Sequence, residues 1–298
     1  TREGNGTQCL VVKNITQNLI DTQMYETLNG KNSYWRNETT DEVINNGIRL
    51  GTMLGRKLQV RNDENSLKYN RLRKGNIDKR MLASLGFGNE QVFQQVFVDR
   101  FSPVNVHLSV DASGSMHGSK WENAQTAVIA IAKAASMVGN LNVQISYRST
   151  EKVGNLTVPA IFIAYDSRKD KIGKIIKLFP HIQCPGTTPE GLCFEAIQKE
   201  IIDGSNDVDS YFINFSDGAP YFESADITYY GDEAKNHTRK QVQNMISRGI
   251  KVLSYFIGNG RYSDSDTFKA MYGKDAEYID TNKVTELARS LNKKFATK

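Results

Sequence analysis

Hydrophobic and polar positions follow two alternating periods along residues 104–298. Short apolar runs bounded by turn residues predict strands at 104–110, 142–148, 160–166, 210–215 and 251–257. Apolar residues at helical spacing predict helices at 119–138, 170–179, from 188 onward, 235–248, 266–272 and 283–294. This alternation of strands with helices indicates an α/β fold with a mainly parallel sheet and helices on both faces.

Several of these elements end at recognisable turn or cap residues. Gly154-Asn155 predicts the turn of a hairpin between the second and third strands. Ser119 and Glu122 have the spacing of a capping box at the start of the first helix. Thr188 and Pro189 suit the cap and the first position of a later helix. We therefore expect helices to begin at both places.

The first hundred residues are more polar and less periodic than the remainder. A helix is predicted at 41–58, and strand-like segments are predicted at 67–72 and 91–101. The chain is therefore divided into a polar and basic N-terminal extension, residues 1–100, and an α/β domain, residues 101–298. The extension is expected to contain the helix and a small β-element.

The composition is typical of a soluble globular protein. Of the 298 residues, 39% are hydrophobic and 24% are charged. No apolar run approaches the roughly 20 residues that a membrane-spanning helix needs, and no basic head with an apolar core predicts a signal peptide. Cys9, Cys184 and Cys193 form no C-x-x-C pair, which favours a reducing, cytoplasmic setting over a disulfide or zinc framework.

Positive charge is concentrated between Arg56 and Arg80. This segment holds nine Arg or Lys residues against three Asp or Glu residues, although the whole chain carries only +5. Such a segment is suited to an acidic protein face or a polyanion, and it is equally typical of a solvated basic surface. The absence of an RNA-binding signature or a helix-turn-helix pattern disfavours nucleic acid as the partner.

Oxygen-bearing side chains follow the predicted strands at three places. Asp111, Ser113 and Ser115 form a D-x-S-x-S spacing directly after the apolar run 104–110. Alternate residues of an extended backbone point the same way, so these three side chains can converge on one hard cation such as Mg²⁺. Thr188 and Asp217 lie in two further turns marked by Gly and Pro. Loops at the carboxyl ends of strands are where open α/β sheets bind ligands.

This set of residues resembles the metal-ion-dependent adhesion site (MIDAS) of von Willebrand factor A domains. The resemblance implies a Rossmann-like α/β fold of that type. It also implies that hydroxyl groups coordinate Mg²⁺, that the two aspartates act largely through water, and that one position stays open for an acidic side chain of a partner. The implied metal-site residues are Asp111, Ser113, Ser115, Thr188 and Asp217.

A narrower resemblance covers residues 41–298. The basic stretch 71–80, the pair Val92-Phe93 and the loops 111–116, 186–191 and 216–220 are similar to the C-terminal half of CobT-type cobaltochelatase subunits. This implies an accessory, non-catalytic subunit of an ATP-dependent cobaltochelatase in cobalamin synthesis. The implied partners are an AAA+ ATPase of the CobS/MoxR type and a large corrin-binding subunit. Residues 1–40 show no counterpart.

Other functions remain open from the sequence. One alternative is a stand-alone Mg²⁺-dependent adaptor for a MoxR-type AAA+ ATPase, of phage or mobile-element origin, and another is a structural or adhesive protein. A hydrolase is disfavoured because G-x-S-x-G is absent and no residue is identifiable that orients His117 as a base. The chain also lacks G-x-x-x-x-G-K-[ST], so we do not expect it to bind ATP through a P-loop.

Residues beside the predicted metal loops are candidates for partner contact. Loop aromatics can also simply cover apolar edges, so both interpretations stay open for them. The predicted contact residues are His117, Lys120, Tyr221, Phe222, Arg71, Arg73 and Lys74. His107 is expected to lie in the core or on a sheet face, and Cys193 is expected to be a small buried residue.

Overall fold

The computed structural model describes residues 8–28, 39–64, 66–98, 104–198, 208–225, 227–258, 268–273 and 277–280. The strands are β1 (Leu10–Val12), β2 (Ser66–Leu72), β3 (Asn76–Ile77), β4 (Phe93–Val98), β5 (Val104–Asp111), β6 (Leu141–Val153), β7 (Leu156–Asp166), β8 (Asp209–Ser216), β9 (Phe222–Ser224), β10 (Ile227–Tyr229), β11 (Lys251–Gly258) and β12 (Glu277–Asp280). The helices are α1 (Gln17–Asp21), α2 (Asp41–Glu64), α3 (Leu82–Leu85), α4 (Ser119–Ala135), α5 (Gly173–Leu178), α6 (Glu190–Ile197) and α7 (Gly231–Ser247).

Seven strands form the main sheet, in the order β1-β7-β6-β5-β8-β11-β12. The hairpin β6–β7 is antiparallel, and the other neighbouring pairs are parallel. The chain continues from β5 to β6 on one side and returns to β8 on the other side of β5. The strand order therefore reverses at the carboxyl ends of β5 and β8, where a ligand crevice is expected.

Alternate residues of β5 face two different layers of helix. Val106, Leu108 and Val110 belong to a core that includes Trp121 and much of α4. His107 faces the other way, with its ring centroid 5.7 Å from that of Phe212. Phe212 packs in a second core with residues of α6 and α7. The predicted α/β fold, with a mainly parallel sheet and helices on both faces, is confirmed.

The hairpin β6–β7 turns at the predicted place and extends further than predicted. Gly154 has φ +62°, a left-handed conformation that suits glycine in a tight turn. Pairing continues directly up to the turn, with Val153 opposite Leu156. The strands reach 13 and 11 residues because the backbones of the polar residues near the turn are also paired.

Both predicted helix caps are wrong. Ser119 is already the first residue of α4, and the cap is Gly118. Gly118 has φ +80° and has no side chain that could donate or accept a capping hydrogen bond. Pro189 is the cap of α6, with φ −79° and ψ 51°, and no side chain caps that helix. The Thr188 hydroxyl is therefore not used by the helix. α4 also ends at Ala135 instead of residue 138.

The remaining helices agree with prediction to different extents. α5 is shorter than predicted, and a 3₁₀ turn at Phe179–His181 follows it. α7 begins four residues earlier than predicted, at Gly231. Residues 268–272 are helical, whereas the helix predicted at 283–294 lies outside the described residues. No helix within the described ranges is both long and apolar enough to cross a membrane.

Residues 8–28 contribute a strand and buried side chains to the main domain. β1 adds a parallel strand to the free edge of β7. Ile15, Ile20 and Leu28 are buried in the same core as β5 and α4. These residues of the predicted N-terminal extension therefore share a core with the elements that follow residue 100. The small β-element is a three-stranded sheet, in the order β2-β4-β3.

α2 is longer than predicted and packs closely against α4. Three glycines at four-residue spacing face α4, and a side chain at each of them would collide with a different neighbour. A Cβ atom at Gly47 would lie 2.7 Å from Ile129, and one at Gly55 would lie 2.8 Å from the Met137 sulfur. A Cβ atom at Gly51 would overlap the Ala130 carbonyl oxygen. The small residues allow the two helix backbones to approach each other.

Candidate metal centre

Asp111 is the last residue of β5 and is fully buried. Its Oδ1 accepts a hydrogen bond from the Ser113 amide at 2.9 Å, which closes a tight turn after the strand. Its Oδ2 accepts a hydrogen bond from the Ser216 hydroxyl at 3.4 Å. Because Ser216 ends β8, this contact joins the carboxyl ends of the two strands at which the sheet order reverses.

A continuous row of oxygen atoms links the D-x-S-x-S loop to Asp217. The Oγ atoms of Ser113 and Ser115 are 3.0 Å apart, and the Ser115 hydroxyl donates to Asp217 Oδ1 at 2.7 Å. Adjacent ligands of an octahedral ion bound at about 2.1 Å are about 3 Å from each other. The spacing of these three oxygen atoms is therefore close to that of neighbouring positions around a small hard cation.

Backbone contacts hold the Thr188 loop beside this row. The Gly114 amide donates to the Gly186 carbonyl at 2.8 Å, and Ser113 and Gly186 form a parallel bridge. A Cβ atom at Gly186 would lie 2.6 Å from the Thr150 amide nitrogen, so the loop can only come this close with glycine there. Thr188 is 6% exposed, and its carbonyl accepts from the Tyr221 amide at 2.9 Å. The loops of Asp111, Thr188 and Asp217 therefore meet at one edge of the sheet.

A buried ion pair that the sequence analysis missed lies beneath the oxygen row. Arg148 of β6 donates to Glu190 Oε1 at 2.6 Å and lies 3.8 Å from Asp111 Oδ2. It also donates to the carbonyls of Ser109 at 3.0 Å and Phe215 at 2.9 Å. The sequence contains one signal for this ion pair, because Arg148 is a charged residue at the end of a segment predicted as a strand. This guanidinium fixes the ends of β5, β6 and β8 relative to each other.

The electrostatic environment of Asp111 favours an added cation. The pKa of the Asp111 carboxyl is raised to about 7, mainly by burial, and the negative charges of Asp217 and Glu190 contribute to the increase. Arg148 and the hydrogen bond from Ser113 act in the opposite direction without overcoming the burial. A negative charge at Asp111 is therefore costly without a cation, and a bound divalent ion would stabilise it.

Lys120, a predicted partner-contact residue, contacts the metal loops within the chain. Its ammonium group lies 2.6 Å from Asp217 Oδ2 and 3.2 Å from the Ser115 carbonyl oxygen. Lys120 belongs to the first turn of α4, and its side chain is 22% exposed. Asp217 thus has one carboxylate oxygen on Ser115 and the other on Lys120.

The other predicted contact residues differ in their exposure to solvent. His117 is exposed, and Tyr221 is 45% exposed next to the Thr188 loop. Phe222 is fully buried in a small cluster with Leu192 and Tyr229, so its prediction as a contact residue is wrong. The physical reason is that β9 and β10 form a hairpin that turns Phe222 inward. Arg71, Arg73 and Lys74 are exposed at the end of β2 and in the turn before β3.

The donor set fits a hard divalent cation better than zinc. Within the described ranges, no group of three or more His, Cys, Asp or Glu residues could hold a metal ion. The converging donors are hydroxyl and carboxylate oxygens, which suit Mg²⁺ and other hard ions. Cys9, Cys184 and Cys193 form no disulfide, and Cys193 is 1% exposed, as expected of a small buried residue.

No protein-family model matches the sequence, and no curated protein matches it. Among solved structures, the chain is similar to the pilus adhesin SpaC from Lactobacillus rhamnosus GG, with a TM-score of 0.48 and 13% identity over 65% of this chain and 31% of that chain. It is also similar to proximal thread matrix protein 1 from the mussel byssus, a structure with a zinc occupied MIDAS motif, with a TM-score of 0.44 and 13% identity over 65% and 46% of the two chains. Human COPII-coat protein Sec24c matches with a TM-score of 0.43 and 11% identity over 65% and 32% of the two chains. The chain therefore spans between about a third and about a half of the length of these structures.

Proposed function

We propose that this protein is a von Willebrand A-type binding module that holds a divalent cation, Mg²⁺, and uses it to bind an acidic group of a protein partner. The observation that carries the proposal is the row of oxygen atoms from Ser113 through Ser115 to Asp217, beside the buried Asp111. It lies where the strand order of the sheet reverses, which is the expected ligand position in such folds.

The chemistry of the ligands explains how such a centre would bind a partner. Ser113, Ser115 and Thr188 offer neutral hydroxyl groups, so they would leave much of the positive charge of the ion uncompensated. Ser115 is exposed, and the centre therefore opens to solvent on that side. A carboxylate that completes the coordination there gains a strong contact, because the buried surroundings screen the charges poorly. The exposed rings of Tyr221 and Tyr230, with centroids 6.4 Å apart, would contact the surface around that carboxylate.

Our narrower proposal is a CobT-like accessory subunit of an ATP-dependent cobaltochelatase, active in the cytoplasm. It rests on the sequence motifs in residues 71–93 and in the metal loops. In this role the module docks on an AAA+ ATPase of the CobS/MoxR type and acts with a large corrin-binding subunit. The exposed Arg71, Arg73 and Lys74 are suited to an acidic face of such a partner.

A second proposal is a stand-alone Mg²⁺-dependent adaptor for a MoxR-type ATPase. The polar residues 1–40, which have no counterpart in the CobT-type resemblance, support it. Both proposals use the same metal centre and the same class of ATPase. They differ in the third component, which is a corrin-binding subunit in the first proposal and another client protein in the second.

The metal proposal is tested by titrating the purified protein with Mg²⁺ in a calorimeter. We expect one divalent ion per chain for the wild type and a loss of binding for Asp217→Asn, because Asp217 accepts a hydrogen bond from Ser115 and would supply a charged oxygen to the ion. Ser136→Ala is the matched control, since Ser136 is an exposed hydroxyl after α4. Equal binding by Asp217→Asn and the wild type would overturn the proposed centre.

The partner proposal is tested by affinity purification from the native cell, with Mg²⁺ and ATP in the buffer. The chelatase proposal expects an AAA+ ATPase and a large corrin-binding subunit with the wild type, and neither with Asp217→Asn. An AAA+ ATPase with a different client supports the adaptor proposal. Recovery of the same proteins with Asp217→Asn would show that the metal centre does not hold the assembly together.

A further inference from the structure

Lys120 has an unusual position for a lysine. It is the second residue of α4, close to the positive end of the helix dipole, where a cation is unfavourable. Its ammonium group reaches back to Asp217 Oδ2 at 2.6 Å and to the Ser115 carbonyl at 3.2 Å. Its position is therefore not explained by the stability of α4, and its contacts are with the metal loops.

The ammonium group and a divalent ion would compete for the same carboxylate. Asp217 is 8% exposed, and its two oxygens already contact Ser115 and Lys120. A divalent ion that approaches the hydroxyls of Ser113 and Ser115 is within reach of Asp217 as well. When a divalent ion binds, either the contact between Lys120 and Asp217 weakens, or the ammonium group stays in place as a second positive charge beside the ion.

Counting charges shows a second consequence. Among the described residues, ion pairs connect five side chains at this centre. Asp111, Asp217 and Glu190 carry three negative charges when ionised, and Arg148 and Lys120 carry two positive charges. A divalent ion gives the ionised cluster one net positive charge. One carboxylate from outside would neutralise it. Without Lys120 the loaded cluster would already be neutral.

We infer that Lys120 is an internal cation of the metal centre, which lowers the affinity for the divalent ion and raises the affinity of the loaded centre for a single carboxylate. This inference rests on the proposed metal centre and names the residue that sets its selectivity. Lys120 stabilises Asp217 before the ion binds. In the loaded centre, its charge attracts the incoming acidic group.

The inference requires two changes of opposite sign in a variant without this charge. Lys120→Met keeps most of the length of the side chain and removes the ammonium group. Its affinity for the divalent ion is expected to rise by about tenfold, and the affinity of its loaded centre for a carboxylate is expected to fall by about tenfold. A residue with only a structural role would change both affinities in the same direction, or neither.

The test uses Mn²⁺ as the metal probe and acetate as the carboxylate probe, both with the full chain. Electron paramagnetic resonance measures free Mn²⁺, and the Mn²⁺-induced relaxation of the acetate methyl protons measures acetate at the loaded centre. Lys171→Met is the matched control because Lys171 is an exposed lysine with no contact to the oxygen row among the described contacts. Lys120→Arg tests whether a charge at this position restores acetate binding. Thermal unfolding in a chelator checks that each variant is folded.

The outcomes separate the inference from the proposed function. Tighter Mn²⁺ binding with weaker acetate binding in Lys120→Met supports the inference. Unchanged affinities, or a parallel loss of both, would overturn it and leave the metal centre intact. If neither the wild type nor Lys120→Met binds Mn²⁺, the proposed metal centre and the inference both fail.

Discussion

His107 is a buried histidine that makes the stability of the fold depend on pH. Its Nδ1 lies 2.9 Å from Gln144 Oε1, and its Nε2 lies 2.9 Å from Ser146 Oγ. Burial lowers the pKa of His107 to about 4, although the hydrogen bond to Gln144 and the charge of Asp166 act in the opposite direction. The imidazole is therefore neutral in the folded protein near pH 7.

This pKa predicts a loss of stability in acid. Below about pH 6.5 the unfolded chain binds a proton that folded His107 does not, so stability is full above that pH and falls as the pH drops towards 4. The loss amounts to about 3 kcal/mol at 1.36 kcal/mol per pKa unit. Denaturant unfolding of the wild type and His107→Gln between pH 7 and pH 4 should show the gap between them narrowing by about that amount. The comparison with His107→Gln is needed because the raised pKa of Asp111 increases the stability of both proteins as the pH falls. A constant gap would contradict the prediction.

Arg148 and Glu190 form a buried ion pair beneath the metal centre, with an N–O distance of 2.6 Å. Both side chains are fully buried, so removing one partner leaves an uncompensated charge in the core. We expect Arg148→Met to lower the free energy of unfolding by about 3–5 kcal/mol. The double variant with Glu190→Gln should recover a large part of this loss, because both charges are then absent. A double-mutant cycle by denaturant unfolding measures the coupling, and additive effects would show that there is none.

Single residues also show which parts of the centre the sequence could predict. Asp111, Ser113, Ser115 and Asp217 are visible because their chemistry follows directly after strands, and the structure brings them together. Arg148 and Glu190 are not predicted, because isolated charged residues in a sequence usually indicate exposure. Their burial depends on a pairing between β6 and α6, which only the folded chain contains.

At the scale of elements, the apolar runs bounded by turn residues predicted the positions of strands well. The predicted bounds of β5, β8 and β11 differ from the observed bounds by at most one residue at each end, because turn residues bracket each apolar run. β1 was missed because its three residues are too few to show a period. The helix caps were wrong because backbone conformation at Gly118 and Pro189 determines where α4 and α6 begin, and side-chain type does not reveal it.

The contact between α2 and α4 predicts different effects at two of its glycines. At Gly51 a methyl group meets the backbone of Ala130, which cannot move without shifting α4. At Gly55 it meets mainly the flexible side chain of Met137. We expect Gly51→Ala to destabilise the protein by about 1–3 kcal/mol, as overpacking does. Gly55→Ala should be near neutral, because better helix propensity, about 1 kcal/mol, offsets the adjustment of Met137.

Thermal or denaturant unfolding of the two variants measures this difference. The substitution is the same in both, so the comparison isolates the neighbour that the new methyl group meets. Equal effects at the two positions would mean that the helices do not pack through these glycines as described. A larger loss at Gly55 than at Gly51 would contradict the register of the two helices.

At the scale of the whole molecule, the N-terminal segment is attached close to the metal loops. The Glu151 carboxylate accepts hydrogen bonds from the amides of Glu26 at 2.9 Å and Thr27 at 2.8 Å. The Thr27 carbonyl accepts from the Gln183 amide at 2.7 Å, at the start of the loop that leads to Thr188. The loop that leads to Thr188 is therefore held in part by hydrogen bonds to residues that lie far away in the sequence.

This attachment predicts that Glu151 controls both the order of the N-terminal segment and metal binding. Glu151→Ala leaves two amides without their acceptor, at a cost of about 1–3 kcal/mol each. Hydrogen exchange in residues 8–28 should therefore accelerate by about tenfold or more, with a smaller change in β5 and β8. The control is Lys152→Ala, which removes an exposed ion pair to Glu26, worth little at the surface. Mg²⁺ affinity should fall in Glu151→Ala and stay unchanged in Lys152→Ala, because only the first change loosens the support of the Thr188 loop. Faster exchange in residues 8–28 with unchanged Mg²⁺ affinity would show that the segment stabilises the fold without supporting the metal centre.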